Sequence, residues 1–295
     1  MAADRGVRAG RTAAHIASDG MAGTIAVRVP GGVYVTTRTG DWLLVTGPRA
    51  PLGPLSLQLG RAVRPSWRPG DTARVQGGVL TIGADHVDLT GLCVEALQVV
   101  PDCAPNAAAA MGRARAALPS PPADLLPGLA ALAAGDVADA VLALAGRGNG
   151  LTPAGDDILA GYSAWRLADA ATDPGMVLAI ARSRAAPLGL AYLSCAVRGE
   201  LVDVAARLMA AVRCADVGLV TRRARALAAW GASSGAAILW GMDAAFRRDR
   251  LEGAGGEPGA GVAWKPPPSA MTALVGPAAR PSVRSTGEGY HLDPP

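Results

Sequence analysis

Lysine is almost absent from this chain of 295 residues. Lys265 is the only one, and the rest of its 28 basic residues are arginines scattered along the sequence for a net charge of +4. Phe, Trp and Tyr together make up 4% of residues. A surface that binds nucleic acid needs clustered cations and, for single strands, aromatic rings to stack on, so that function is excluded. The four cysteines, Cys93, Cys103, Cys195 and Cys214, show no C-x-x-C spacing, which argues against both a zinc site and a disulfide framework. The histidines are few, and His15 and His86 read as ordinary surface or core residues. The longest uncharged stretch, Ala226 to Met242, is interrupted by Gly231, Ser233, Ser234 and Gly235. It falls short of the ~20 apolar residues that span a bilayer, so no membrane helix is expected. Asp4, Arg5, Arg8 and Arg11 lead into no apolar block, so a secretory signal is not expected either, and the cytoplasm is the expected location.

Half the residues are hydrophobic and 18% are charged, which is the composition of a folded chain. Short β-type runs at 24–29, 33–37, 42–46, 55–59, 72–76, 79–82 and 93–99 are separated by turn residues such as Pro30-Gly31-Gly32, Arg68-Pro69-Gly70-Asp71 and Gln76-Gly77-Gly78. This spacing predicts a small antiparallel barrel or sandwich over residues 1–101. Beyond Pro101 the sequence turns to alanine and leucine at helical spacing. Helices are predicted near 106–117, 122–133, 136–144, 153–171, 174–184, 188–198, 200–213, 216–230 and 235–249. The fold class is therefore α+β, with a helical domain over 102–251. Residues 252–295, rich in Gly and Pro, are expected to be a disordered tail.

The most informative segment is Gly146-Arg147-Gly148-Asn149-Gly150-Leu151-Thr152-Pro153-Ala154-Gly155-Asp156-Asp157. In part it is a well-made helix start, with Thr152 as N-cap, Pro153 at the first helical position and carboxylates in the first turn. The alternate glycines Gly146, Gly148 and Gly150 exceed what a helix start needs, and they would let backbone amides approach a ligand. The pattern is neither a Walker loop nor a dinucleotide fingerprint. Adjacent carboxylates repel a bare phosphate, so an anion would need Arg147, a protonated carboxyl or a bridging Mg²⁺, the one cofactor the segment suggests. Asp156 and Asp157 are better suited to gripping an amide or ammonium group or to moving a proton.

A second segment, Gly231-Ala232-Ser233-Ser234-Gly235-Ala236-Ala237-Ile238-Leu239-Trp240-Gly241, has the same form. Aligning Gly155 with Gly235 superposes Ile158-Leu159 on Ile238-Leu239 and Gly161 on Gly241. This suggests two loop-to-helix units facing one site, with acid–base groups only in the first. The G-x-S-x-G string at 231–235 is not a hydrolase elbow, because a helix rather than a strand is predicted before it.

These strings resemble the oxamate carbamoyltransferase subunit family, long known as a domain of unknown function. Gly148, Gly150, Thr152, Pro153, Gly155, Asp156 and Asp157 match the family core, as do Ser233, Ser234 and Gly235. The likeness extends over about residues 20–250. It implies a cytoplasmic complex that moves a carbamoyl group between carbamoyl phosphate and oxamate in allantoin breakdown, with partner subunits of which one is CoA-ligase-like. Within that reading Asp156 and Asp157 are the candidate catalytic residues. An anionic or amide ligand would be bound by Arg147, Gly148, Asn149, Gly150, Thr152, Gly155, Ser233, Ser234 and Gly235. The chain departs from the family at Ala185, Ala186 and Gly189, where a Thr-Thr pair and a serine are expected, and at Ala237, where an acid is expected. The alternative is a structural or ligand-binding subunit with a degenerate site.

Overall fold

Two periodicities, one of two residues and one near four, divide the chain into a sheet and a set of helices. The computed structural model describes residues 6–97, 107–116, 118–166, 174–214 and 216–255. Among the described residues nine strands form one sheet: β1 (Arg8–Gly10), β2 (Ala22–Val29), β3 (Gly32–Thr37), β4 (Trp42–Thr46), β5 (Ser56–Gln58), β6 (Thr72–Gln76), β7 (Val79–Ile82), β8 (Asp85–Asp88) and β9 (Cys93–Glu95). Their order is β8-β7-β6-β2-β3-β4-β5-β1-β9, antiparallel except for the parallel pairs β4/β5 and β1/β9. Among the described residues the end strands β8 and β9 lie at opposite ends of that order, and the sheet curls as a half-barrel. Gly77 and Gly78, at φ +57° and +74°, make the tight turn from β6 to β7 that only glycine enters freely.

Alternation along the strands gives the sheet two working faces. Val33, Val35, Leu43, Val45, Ala73, Val75, Leu80 and Ile82 point into a core of their own. Trp67 closes that core, 2% exposed, with its indole N–H donated to Asp85 Oδ2 at 2.9 Å. The intervening residues Tyr34, Trp42 and Leu44 point the other way, toward the helices. A short helix, α1 (Arg11–Ile16), follows β1.

The remaining helices are α2 (Ala107–Ala116), α3 (Leu126–Ala134), α4 (Val137–Leu144), α5 (Ala154–Arg166), α6 (Pro174–Ala181), α7 (Pro187–Ala196), α8 (Asp203–Arg213), α9 (Val217–Ala228) and α10 (Ser234–Gly255). Every residue of α5 is buried, which makes it the centre of the helical core. Helix α7 joins sheet to helices, with Leu188 and Cys195 packed beside Tyr34 and Leu55. Residues 252–255, expected in the tail, belong to α10, and residues 256–295 lie outside the described part. Cys103, the end of the predicted strand at 93–99 and residues 167–171 of a predicted helix lie outside it as well. Among the described residues no helix is long and apolar enough to cross a membrane.

Candidate functional site

Helices α5 and α10 cross at a pair of glycines. A Cβ on Gly161 would lie 2.1 Å from the Ile238 carbonyl oxygen, and one on Gly241 would lie 2.0 Å from that of Ile158. The contact is reciprocal, as a local two-fold requires, and it joins the residues that the sequence repeat aligns. The helix entries correspond as well. Arg147 N–H donates to Leu144 O and Gly155 N–H to Arg147 O, while Trp230 N–H donates to Leu227 O and Gly235 N–H to Trp230 O. Gly155 sits against the Leu144 carbonyl as Gly235 sits against that of Leu227. The two segments thus share one local geometry of helix, loop and helix.

The crossing brings the two helix starts together. The Thr152 hydroxyl lies 3.2 Å from the Ser234 hydroxyl and donates to Asp157 Oδ2 at 3.2 Å. The helix begins one residue later than expected. Pro153 O accepts from Asp156 and Asp157, and the Thr152 side chain faces the carboxyl of Asp157 and the serine. Asp157 is 5% exposed. Burial pushes its pKa up to about 7, against the hydrogen bonds of Ser234 and Thr152 and with help from the charge of Asp156.

Asp156 turns away from this cluster. Its Oδ1 accepts from Gly146 N–H at 2.7 Å and its Oδ2 from Ala186 N–H, at the start of α7, at 3.0 Å. Burial raises its pKa despite those two donors. Gly146 is held at φ +76° with its Cα against the Arg184 carbonyl, so the first loop glycine presents its amide to Asp156. Gly189 is the other half of the fit, since a Cβ there would lie 2.1 Å from Asp156 Oδ2. Two of the departures from the family pattern, Ala186 and Gly189, therefore lie directly on this carboxylate. Gly189→Ser is expected to turn Asp156 off both amides and to destabilise the fold by on the order of 2 kcal/mol, read as a lower melting temperature. An unchanged melting temperature would show that the carboxylate is not held there.

The other sequence candidates are spread around this centre. Arg147, Gly148, Asn149 and Gly150 form an exposed rim, with Gly148 and Gly150 at φ +105° and +103°. Among the described residues no side-chain hydrogen bond ties Arg147, Asn149 or Ser233 to the cluster. The amides of Gly155 and Gly235 are spent on loop closure. Among the described residues no three His, Cys, Asp or Glu side chains gather as metal ligands, and with Asp156 and Asp157 turned apart the pair fits Mg²⁺ poorly. A cavity of about 460 Å³ between α2, α3 and α10, lined by Arg115, Leu129, Trp240 and Arg247 among others, includes none of these residues.

Sequence reasoning missed two tyrosines. Tyr192, on α7 one turn beyond Gly189, and Tyr34 of β3 lie with their hydroxyls 3.0 Å apart. Burial raises the pKa of both, and the charge of Asp157 raises each further. The i to i+3 spacing of Gly189 and Tyr192 was a legible signal for one of them.

Residues 144–246 match the model of a family described as oxamate carbamoyltransferase subunit AllH. Comparison with curated proteins and with solved structures finds no match.

Proposed function

With residues 144–246 matched to the AllH family, we propose that the chain is a subunit of a cytoplasmic carbamoyltransferase-like complex and that Asp157 is its proton-accepting group. The other subunits, one of them CoA-ligase-like, complete the enzyme, and the reaction joins carbamoyl phosphate to oxamate or a related amide. The observation that carries this reading is one buried carboxyl, held between the Thr152 and Ser234 hydroxyls, whose pKa lies near 7.

The chemistry needs such a group. As the amide nitrogen of the acceptor attacks the carbamoyl carbon, a C–N bond forms and the C–O bond to phosphate breaks. The nitrogen must shed a proton, and a base with a pKa near the working pH takes it most effectively. Asp156, with both oxygens engaged by backbone amides, positions the start of α5 against α7 and does not turn over protons. The starts of α5, α7 and α10 favour negative charge, and Arg147 on the rim supplies a cation for the anionic substrates.

A second reading, a non-catalytic subunit, rests on Ala186 and Gly189, neither of which brings a polar side chain to Asp156. The test is to purify the complex through the tagged chain and assay it with carbamoyl phosphate and oxamate. The expected result is turnover whose kcat/KM rises with pH through about 7, as Asp157 loses its proton. Partners that co-purify and turn over with no dependence on Asp157 would favour the second reading.

A further inference from the structure

The family match begins at residue 144, yet the sheet reaches the site through Tyr34. We propose that Tyr34 and Tyr192 form a hydrogen-bond-donating wall of the site, which gives one O–H to a carbonyl or carboxylate oxygen of the bound amide. This inference rests on the reading of Asp157 given above.

The argument is one of proton accounting. Two hydroxyls 3.0 Å apart carry two protons, and their mutual bond uses one. Among the described residues no protein acceptor takes the other. Tyr34 is 9% exposed and Tyr192 half-buried, so bulk water has little access to the pair, and a buried donor left without an acceptor is costly. Burial and the nearby charge of Asp157 keep both phenols protonated at neutral pH, so the pair acts as a donor throughout.

Its placement follows from the helix. Gly189 of α7 rests on Asp156, and Tyr192 follows one turn later on the same face, within reach of the charge of Asp157. Tyr34 is carried to it by the alternation of β3, whose neighbours Val33 and Val35 face the sheet's own core. The ring of Tyr34 is fixed edge-on against Trp42, with centroids 6.1 Å apart. Its hydroxyl is thus held in place before any ligand arrives.

The experiment is calorimetric titration of oxamate into the full chain and into Tyr34→Phe, Tyr192→Phe and Asp157→Asn, each paired with a melting curve. Phenylalanine keeps the ring and its packing. The expected result is an affinity about 10-fold or more weaker in both phenylalanine variants, the loss of a hydrogen bond to a charged ligand, with melting little changed. If the pair only ties sheet to helix, Tyr34→Phe melts earlier and binds oxamate like the wild type, and the inference is overturned. Should Asp157→Asn weaken binding while both phenylalanine variants do not, the donor wall alone falls. Should the wild type bind no oxamate, the substrate reading falls and takes this inference with it.

Discussion

Asparagine at position 157 is expected to make the protein more stable at pH 8 and to stop its turnover. The folded-state pKa of Asp157 is raised to about 7 from an ordinary 3.8. Between those values the folded chain holds a proton that the unfolded chain has already released. Stability from this group is therefore complete below about pH 4, falls as pH rises through 7, and is lower by a constant amount above that. At 1.36 kcal/mol per unit the penalty is roughly 4 kcal/mol. Asparagine has the same shape and no charge, so it escapes the penalty while still accepting a hydrogen bond from Thr152 or Ser234. For a folded body of this size the melting temperature should rise on the order of 10 °C at pH 8 and hardly at all at pH 4. Melting curves at the two pH values check this, and an equal difference at both would contradict it. Turnover in the assembled complex should vanish in the same variant, because an amide takes up no proton. A residue that destabilises the fold where it stands, and whose removal ends activity, is behaving as a functional group.

The second large effect is expected at Gly161. Replacing a helical glycine by alanine normally stabilises by up to about 1 kcal/mol, since alanine is the better helix former. Here the added methyl would lie 2.1 Å from the Ile238 carbonyl oxygen, which belongs to backbone and cannot rotate aside. Helices α5 and α10 would have to separate along a seam that buries Ile158, Leu159, Ile238, Leu239 and Met242. Gly161→Ala should therefore destabilise by about 3 kcal/mol, the upper part of the range for overpacked cores. Gly241→Ala should match it, because the contact at Ile158 is equivalent. Chemical denaturation of both variants checks the magnitude and the symmetry together. A stabilised Gly161→Ala would mean that the helices do not cross as described.

The duplicated segments were legible because a close helix crossing demands glycine, and Gly161 and Gly241 stand at the same offset as Gly155 and Gly235. The strands 42–46, 72–76 and 79–82 were legible to the residue, since each alternates and ends at a turn. Strand β1 was not, being three residues without a branched side chain, and β8 was not, because only Val87 of Asp85–Asp88 faces the core. The pairing of Asp156 with Ala186 and of Tyr34 with Tyr192 joins residues 30 and 158 positions apart. No local pattern encodes such distances, since chain topology and not spacing brings the partners together. The partner of Asp157 was half legible, as Ser234 had been singled out, but nothing in the sequence showed that its helix start would meet that of Thr152.

The reciprocal crossing also decides which parts of this machine can move. Two helices locked backbone to backbone at a pair of glycines have no slack for sliding or spreading, so the distance from Thr152 to Ser234 is a fixed gauge. On the function proposed above, an opening for substrate is expected at the exposed rim 147–150 and not between α5 and α10.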